Sequence, residues 1–500
     1  MNSKVTFTVA LALWLSLGGC ASDDAGLDPD APADVLEGAK ADDYLGPISQ
    51  EYDLVTEVSV TLEGEDAALE GEARTERARA LGSEEMNRIT MALDQQIWAE
   101  WTEDERTGDN SILLRQMSDS IDNMRETEPN VFVFDYVAEV AGPQDLLERY
   151  PFGQADGHLF LEVVTGSGDT AHTYHLIVTV SEETPDSYPE YLEMFEDGLD
   201  IAVHVGDDHN TEYVDIDQAR SIYRALTGEL GFQSPVQSFD DLALTSGPFR
   251  RELDVDGRPV EVRVTLFHAN MAPDDQLDQL VDAYRHSAAT ADVVIYTGHA
   301  GRTLTYSGVV LHYGPRASIP ASEFRNLELP DKYQIFVFAG CETYTGYSES
   351  LFAHPGKTSA NADVITTVNF STSSSTDTAT TSLLGGLLDD SPGTWWPHSW
   401  EALLRRINDA DAYHHWTAMY GVHGLSDNPR RSPLGDLSTV GQSCSRNSDC
   451  PGVDSQCNRR ESGELQCGIA CTYDSGCPET SHCIDVVSNL VDELSQCIPD

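Results

Sequence analysis

The chain has 500 residues, enough for two to four domains and a large core, and sets 85 acidic against 29 basic side chains for a net charge of −56. Charge of that sign and size excludes nucleic acid and anionic membrane surfaces as partners, because both would repel it. Only four basic residues are lysines (Lys4, Lys40, Lys332 and Lys357). This balance suits a solvated surface in strong salt; it leaves calcium open without marking a ligand set, and the motifs below call for no cofactor.

Lys4, the apolar run Val5–Leu17 and then Leu17-Gly18-Gly19-Cys20 read as a secretory signal ending in a bacterial lipobox. Residues 1–19 are thus a signal peptide and Cys20 a lipidated N-terminus. Ala21 rather than Asp after the cysteine resembles outer-membrane sorting, so the expected location is the envelope of a Gram-negative bacterium, at the outer membrane or cell surface. The membrane is met only through the lipid. Residues 20–47, rich in Asp, Ala, Gly and Pro, read as an acidic tether.

Residues 48–243 read as an α+β domain. Ser83 is placed to cap a helix carrying Met86, Ile89, Leu93, Ile97 and Trp101 at helical spacing. Val131–Val140, Leu159–Val164 and Tyr174–Val180 read as strands, the last two joined through Gly166-Ser167-Gly168. Asp217–Leu230 reads as a helix ended by Gly231. His204, Asp207, Asp208 and His209 have ligand chemistry, but two histidines in an acidic loop read first as a solvated turn. A propeptide, a substrate-positioning domain and plain scaffold all fit this region.

A second domain spans residues 244–435. Phe249–Val255 and Pro259–Thr265 flank Asp256-Gly257, a hairpin signal. The second strand extends to Phe267, and Pro273-Asp274-Asp275 then opens a helix with Leu277, Leu280, Val281 and Tyr284 on one face. Two apolar runs follow, 291–298 and 334–340, ending at His299 and Cys341. Runs of this kind are strands buried on both faces of a parallel sheet. Thr303–Tyr313 reads as a hairpin around Ser307-Gly308, Ala321–Leu327 as a short helix and Asn361–Phe370 as a further strand. The Ser/Thr-rich stretch Ser371–Ser382 reads as a polar loop, Leu383–Leu388 and Trp400–Ile407 as covering helices, and Trp395, Trp396 and Trp400 as core or pocket wall.

In an open α/β sheet, groups leaving neighbouring strands at their carboxyl ends meet in one crevice. With Cys20 assigned to the lipid, Cys341 is the one cysteine left over, alone between residues 21 and 443, which marks it as a nucleophile rather than a buried inert thiol. Gly298-His299-Ala300-Gly301 and Ala339-Gly340-Cys341 resemble the motifs of caspase/gingipain/legumain cysteine peptidases, in which one strand ends in His-Gly and a later one in Ala-Cys. Two departures stand out: Ala300 follows the histidine where Gly is usual, and Gly340 precedes the cysteine where Ala is commoner. The resemblance covers about 190 residues of the 500. It implies a caspase-like α/β fold, a mostly parallel sheet with covering helices, after an α+β domain and before a disulfide-rich tail. It also implies hydrolysis of peptide or protein substrates through a Cys341 thioester, with His299 as general acid and base. The oxyanion would rest on backbone N–H groups of Cys341 and of Ala300 or Gly301. P1 specificity and oligomeric state have no marker.

Asn428-Pro429-Arg430-Arg431-Ser432-Pro433 reads as a linker whose paired arginines resemble a processing site. Residues 436–500 form two similar blocks, Cys444, Cys450, Cys457, Cys467 and Cys471, Cys477, Cys483, Cys497, each opening C-x5-C-P. Dense, even cysteines in an exported chain read as disulfides of open pairing, not zinc ligands. No G-x-S-x-G, H-E-x-x-H or P-loop motif competes. The rival reading is a catalytically inactive surface binding lipoprotein that recognises its partner through the tail.

Overall fold

The computed structural model describes residues 43–100, 112–116 and 121–499, apart from 122, 156, 167–170, 207–213, 302–307, 373–374, 392, 413–416, 436, 451–454, 460–462, 473, 479–480 and 487–493. The lipobox and Cys20 lie outside the described residues. Among those described, no helix is long and apolar enough to cross a membrane.

Strand β1 (Tyr44–Leu45) precedes a seven-stranded sheet formed by β2 (Ser49–Thr61), β3 (Leu113–Gln116), β4 (Arg125–Glu128), β5 (Val131–Pro143), β6 (Gly153–Ala155), β7 (His158–Thr165) and β8 (His172–Val180). One face of this sheet is closed by the helix Gly71–Glu100, which buries Met86, Ile89 and Leu93 against it. The helix starts twelve residues before the cap expected at Ser83. Residues 71–82 are mostly Glu, Arg and Ala, good helix formers that carry little apolar periodicity.

The second sheet has eight strands. β9 (Leu199–Val205), β11 (Arg258–His268), β12 (Val293–Thr297), β15 (Gln334–Ala339) and β16 (Ala362–Thr367) run parallel. β10 (Phe249–Val255), paired with β11, closes one edge; β17 (Tyr420–His423) and then β1 close the other, giving the order β1-β17-β16-β15-β12-β9-β11-β10. The Asp256-Gly257 turn forms as expected, both residues having positive φ (51° and 79°). Alternate residues of the central strands feed opposite layers. Val203, Ile295 and Val337 pack towards the helices 214–227, 376–387 and 400–411, whereas Ala202, Val294 and Phe336 pack towards Asp278–Thr290 and Tyr347–Phe352.

The structure corrects several boundaries. β9 belongs to the large sheet although it lies within 48–243, so the architecture divides between residues 180 and 199, not at 243/244. Tyr44–Leu45, assigned to the tether, pairs with β17. β13 (Val309–His312) pairs with β14 (Ala317–Ile319), so the hairpin turns after His312; residues 302–307 lie outside the described residues. Much of the Ser371–Ser382 loop is helix, Thr376–Leu387. Its threonines hydroxyl-bond carbonyls one turn back (Thr380 to Thr376, 2.8 Å; Thr381 to Asp377, 2.9 Å). The Asn428–Pro433 linker is docked: Asn428 is buried, and Arg430 donates to the carbonyl oxygens of Asp186 (2.9 Å) and Leu425 (3.2 Å). In the tail, β18 (Ser455–Arg459) pairs with β19 (Leu465–Ile469) and β20 (Ser481–Val486) with β21 (Leu494–Pro499). Disulfides join Cys444–Cys457, Cys450–Cys467, Cys471–Cys483 and Cys477–Cys497, first to third and second to fourth in each block.

At the opposite end of the sheet from the two motifs, Asp363 ties three elements together. Its Oδ2 accepts from Tyr333 Oη (2.5 Å), Trp400 Nε1 (2.8 Å) and Asn428 Nδ2 (2.7 Å). Complete burial outweighs these donors and pushes the carboxyl from 3.8 up to about 8. Between those pH values the unfolded chain ionises first, so this group's stabilisation is full below about 4 and is lost as the pH rises to about 8. An Asp363→Asn amide keeps an acceptor for the three donors and cannot ionise. Urea denaturation should therefore show the variant gaining on the parent between pH 5 and pH 8; an offset independent of pH would contradict this.

Candidate functional site

Thr297, the last residue of β12, pairs with Val205 on one side and Ala339 on the other, so three parallel strands end level. A glycine follows each: Gly206, Gly298 and Gly340. The Gly206 N–H donates to Thr297 O (2.9 Å) and the Gly298 N–H to Ala339 O (3.1 Å), which carries the register one residue further. His299 and Cys341 each follow two residues after these paired strand ends; the His299 ring lies 6.2 Å from that of Tyr313. His299 is half-buried and Cys341 buried.

Gly340 explains how close the two turns come. A Cβ at this position would lie 2.3 Å from Ala300 Cβ and 3.0 Å from Gly298 O. The methyl of Ala300 thus fills the space that a methyl on residue 340 would need. Ala300 and Gly340 share one space, filled by the methyl on the histidine turn.

Two buried tyrosines hold the histidine turn. Tyr296 Oη donates to His299 O (2.5 Å) and accepts from the Val310 N–H (3.0 Å). Tyr347 Oη donates to Gly308 O (2.8 Å) and accepts from the Gly308 N–H (2.6 Å). Burial raises both phenols, so they remain donors across the neutral range.

Two buried threonines hold the cysteine turn. Thr367 Oγ1 donates to Gly340 O (2.7 Å) and accepts from the Thr343 N–H (3.2 Å); Thr343 Oγ1 donates to Phe338 O (2.9 Å) and accepts from the Thr367 N–H (2.9 Å). Between them Glu342 takes a positive φ of 51°, a costly conformation for a residue with a Cβ, kept only where the surroundings fix it. Thr367→Val keeps the shape but strips Gly340 O and the Thr343 N–H of this partner. At ~1–3 kcal/mol for each of the two buried groups left unsatisfied, a loss of about 2–6 kcal/mol is expected by denaturant titration; a change under about 0.5 kcal/mol would show that the hydroxyl does not hold the turn.

Cys341 Sγ lies 3.5 Å from Ser371 O and 3.7 Å from Ser371 Oγ. The expectation of a lone thiol is corrected: Cys341 is disulfide-bonded. The count of ten cysteines isolates Cys341 only if Cys20 is reserved for lipid. Of the weaker metal candidates, His204 is sealed in the core, its Nε2 2.9 Å from Ser287 Oγ and its ring stacked on Phe267, and burial pushes it down to about 3. Asp207, Asp208 and His209 lie outside the described residues. Trp395 and Trp400 are core, as expected. The chain offered little sign of Tyr296, Tyr347, Thr343 or Thr367; the one usable signal is the recurrence of apolar strand then glycine at 206, 298 and 340.

No family model, no curated protein and no solved structure matches the chain.

Proposed function

We propose that this protein is an exported cysteine endopeptidase of caspase-like type. The observation that carries the reading is that adjacent parallel strands end level at Thr297 and Ala339, each two residues before His299 or Cys341. The Cys341 thiolate forms a C–S bond to the scissile carbonyl carbon. Backbone N–H groups take the resulting oxyanion: that of Cys341 and that of Ala300 or Gly301. Collapse breaks the C–N bond as the His299 imidazolium hands its proton to the leaving amine. Water then attacks the thioester, giving its proton to His299, and the acid product leaves with thiolate restored.

A thiolate is required, so activity follows opening of the Cys341 disulfide. The test is cleavage of a mixed peptide library by the full chain with graded reductant, beside Cys341→Ala. Cuts after one residue type that appear on reduction and vanish in the variant support the reading. No cuts at any reductant level that leaves the tail disulfides intact would sink it. The burial and disulfide of Cys341 favour the second reading, an inactive surface binding protein, in which that outcome is expected.

A further inference from the structure

The seven-stranded sheet meets the large sheet beneath the cysteine turn. Tyr344, three residues after Cys341 and fully buried, donates through Oη to Glu51 Oε1 on β2 (2.6 Å), with Glu139 Oε1 on β5 at 3.1 Å. Thr345 Oγ1 donates to Leu114 O on β3 (3.0 Å). Around this seam Tyr44, Ala141, Tyr344, Val368 and Met419 form a small core of their own, with the Tyr44 and Tyr344 rings edge to face at 5.3 Å. The Tyr344 N–H donates to Thr367 O (2.9 Å), so the residue that enters the seam also belongs to the threonine-pinned turn.

Glu51 and Glu139 are 7% and 0% exposed. Carboxylates so deeply placed are costly unless they are engaged, and a face that buries them against another layer is not built to come away. We propose that the N-terminal sheet is a permanent positioning element of the Cys341 turn, acting through Tyr344 held by Glu51 and Glu139, rather than a detachable pro-segment. The catalytic consequence rests on the peptidase reading; the mechanical one does not. Tyr344 touches no reacting atom and positions Cys341 through residues 342–343.

The test uses the full chain with Tyr344→Phe, Glu51→Ala and Glu51→Gln, followed by hydrogen exchange and cleavage kinetics. Tyr344→Phe keeps the ring and loses the donor; Glu51→Gln keeps an acceptor. Exchange across residues 340–346 should rise about tenfold or more in Tyr344→Phe and Glu51→Ala, stay near the parent in Glu51→Gln, and be unchanged in β12. In cleavage, kcat should fall with KM steady. Unchanged exchange at 340–346, or a uniform rise over the whole chain, overturns the proposal. Should Tyr344→Phe fail to fold, Glu51→Ala against Glu51→Gln decides the same point. Absence of cleavage in the reduced parent would count against the peptidase reading alone, since the exchange result stands without it.

Discussion

Replacing His299 with alanine is expected to slow peptide cleavage by about 10²–10⁴-fold, the usual worth of a positioned general acid and base. The fold should survive. His299 is half-buried, and what the structure anchors at this residue is its backbone carbonyl, through Tyr296 Oη (2.5 Å). The loss should fall mainly on kcat, because the imidazole moves protons rather than gripping substrate. Steady-state kinetics on the best library peptide, with a thermal melt of the same sample, separates this from general damage. Loss of activity matched by loss of folded protein would assign His299 to structure instead.

Gly340→Ala should destabilise the protein and disturb both turns of the site. The backbone admits alanine there, since Gly340 is not in the left-handed region, but the new Cβ would sit 2.3 Å from that of Ala300. Overpacking of a tight core costs about 1–3 kcal/mol, and here any relief must part the histidine turn from the cysteine turn. Activity should fall with stability. Ala300→Gly should itself cost about 1 kcal/mol through lost packing and added chain freedom. Combined, the two move the methyl to the cysteine turn, and the double variant should be more stable than Gly340→Ala alone, with a coupling of about 1–3 kcal/mol. The remaining contact, 3.0 Å from the residue-340 Cβ to Gly298 O, sets how complete the recovery is. Strict additivity of the two changes would show that Ala300 and Gly340 do not share this space.

Strands buried on both faces were legible because their sequences leave little alternative. Val293–Thr297, Gln334–Ala339 and Ala362–Thr367 each form where an apolar run stands between polar breaks. Leu199–Val205 is just as apolar, yet its place in the sheet depends on pairing with Val262–His268 and Val293–Thr297, which no local pattern reveals. The Ser/Thr run after residue 371 misleads for a different reason: hydroxyls that favour turns in isolation can also bond carbonyls within a helix. His299 and Cys341 could be read as strand-end groups, but what holds them is tertiary. Thr343 meets Thr367 across 24 residues, and Tyr344 meets Glu51 across 293. That Ala300 and Gly340 share one space is visible only in three dimensions.

The central claim is that His299 and Cys341 act on each other, and the pH dependence of Cys341 alkylation tests it most directly. An unperturbed thiol reacts with a pKa near 8.5, and a neighbouring imidazolium lowers that value. After reduction that leaves the tail disulfides intact, iodoacetamide labelling of Cys341 should titrate well below this range in the parent and return to it in His299→Ala. Superimposable profiles in the ordinary thiol range would show that the two residues are neighbours without being partners.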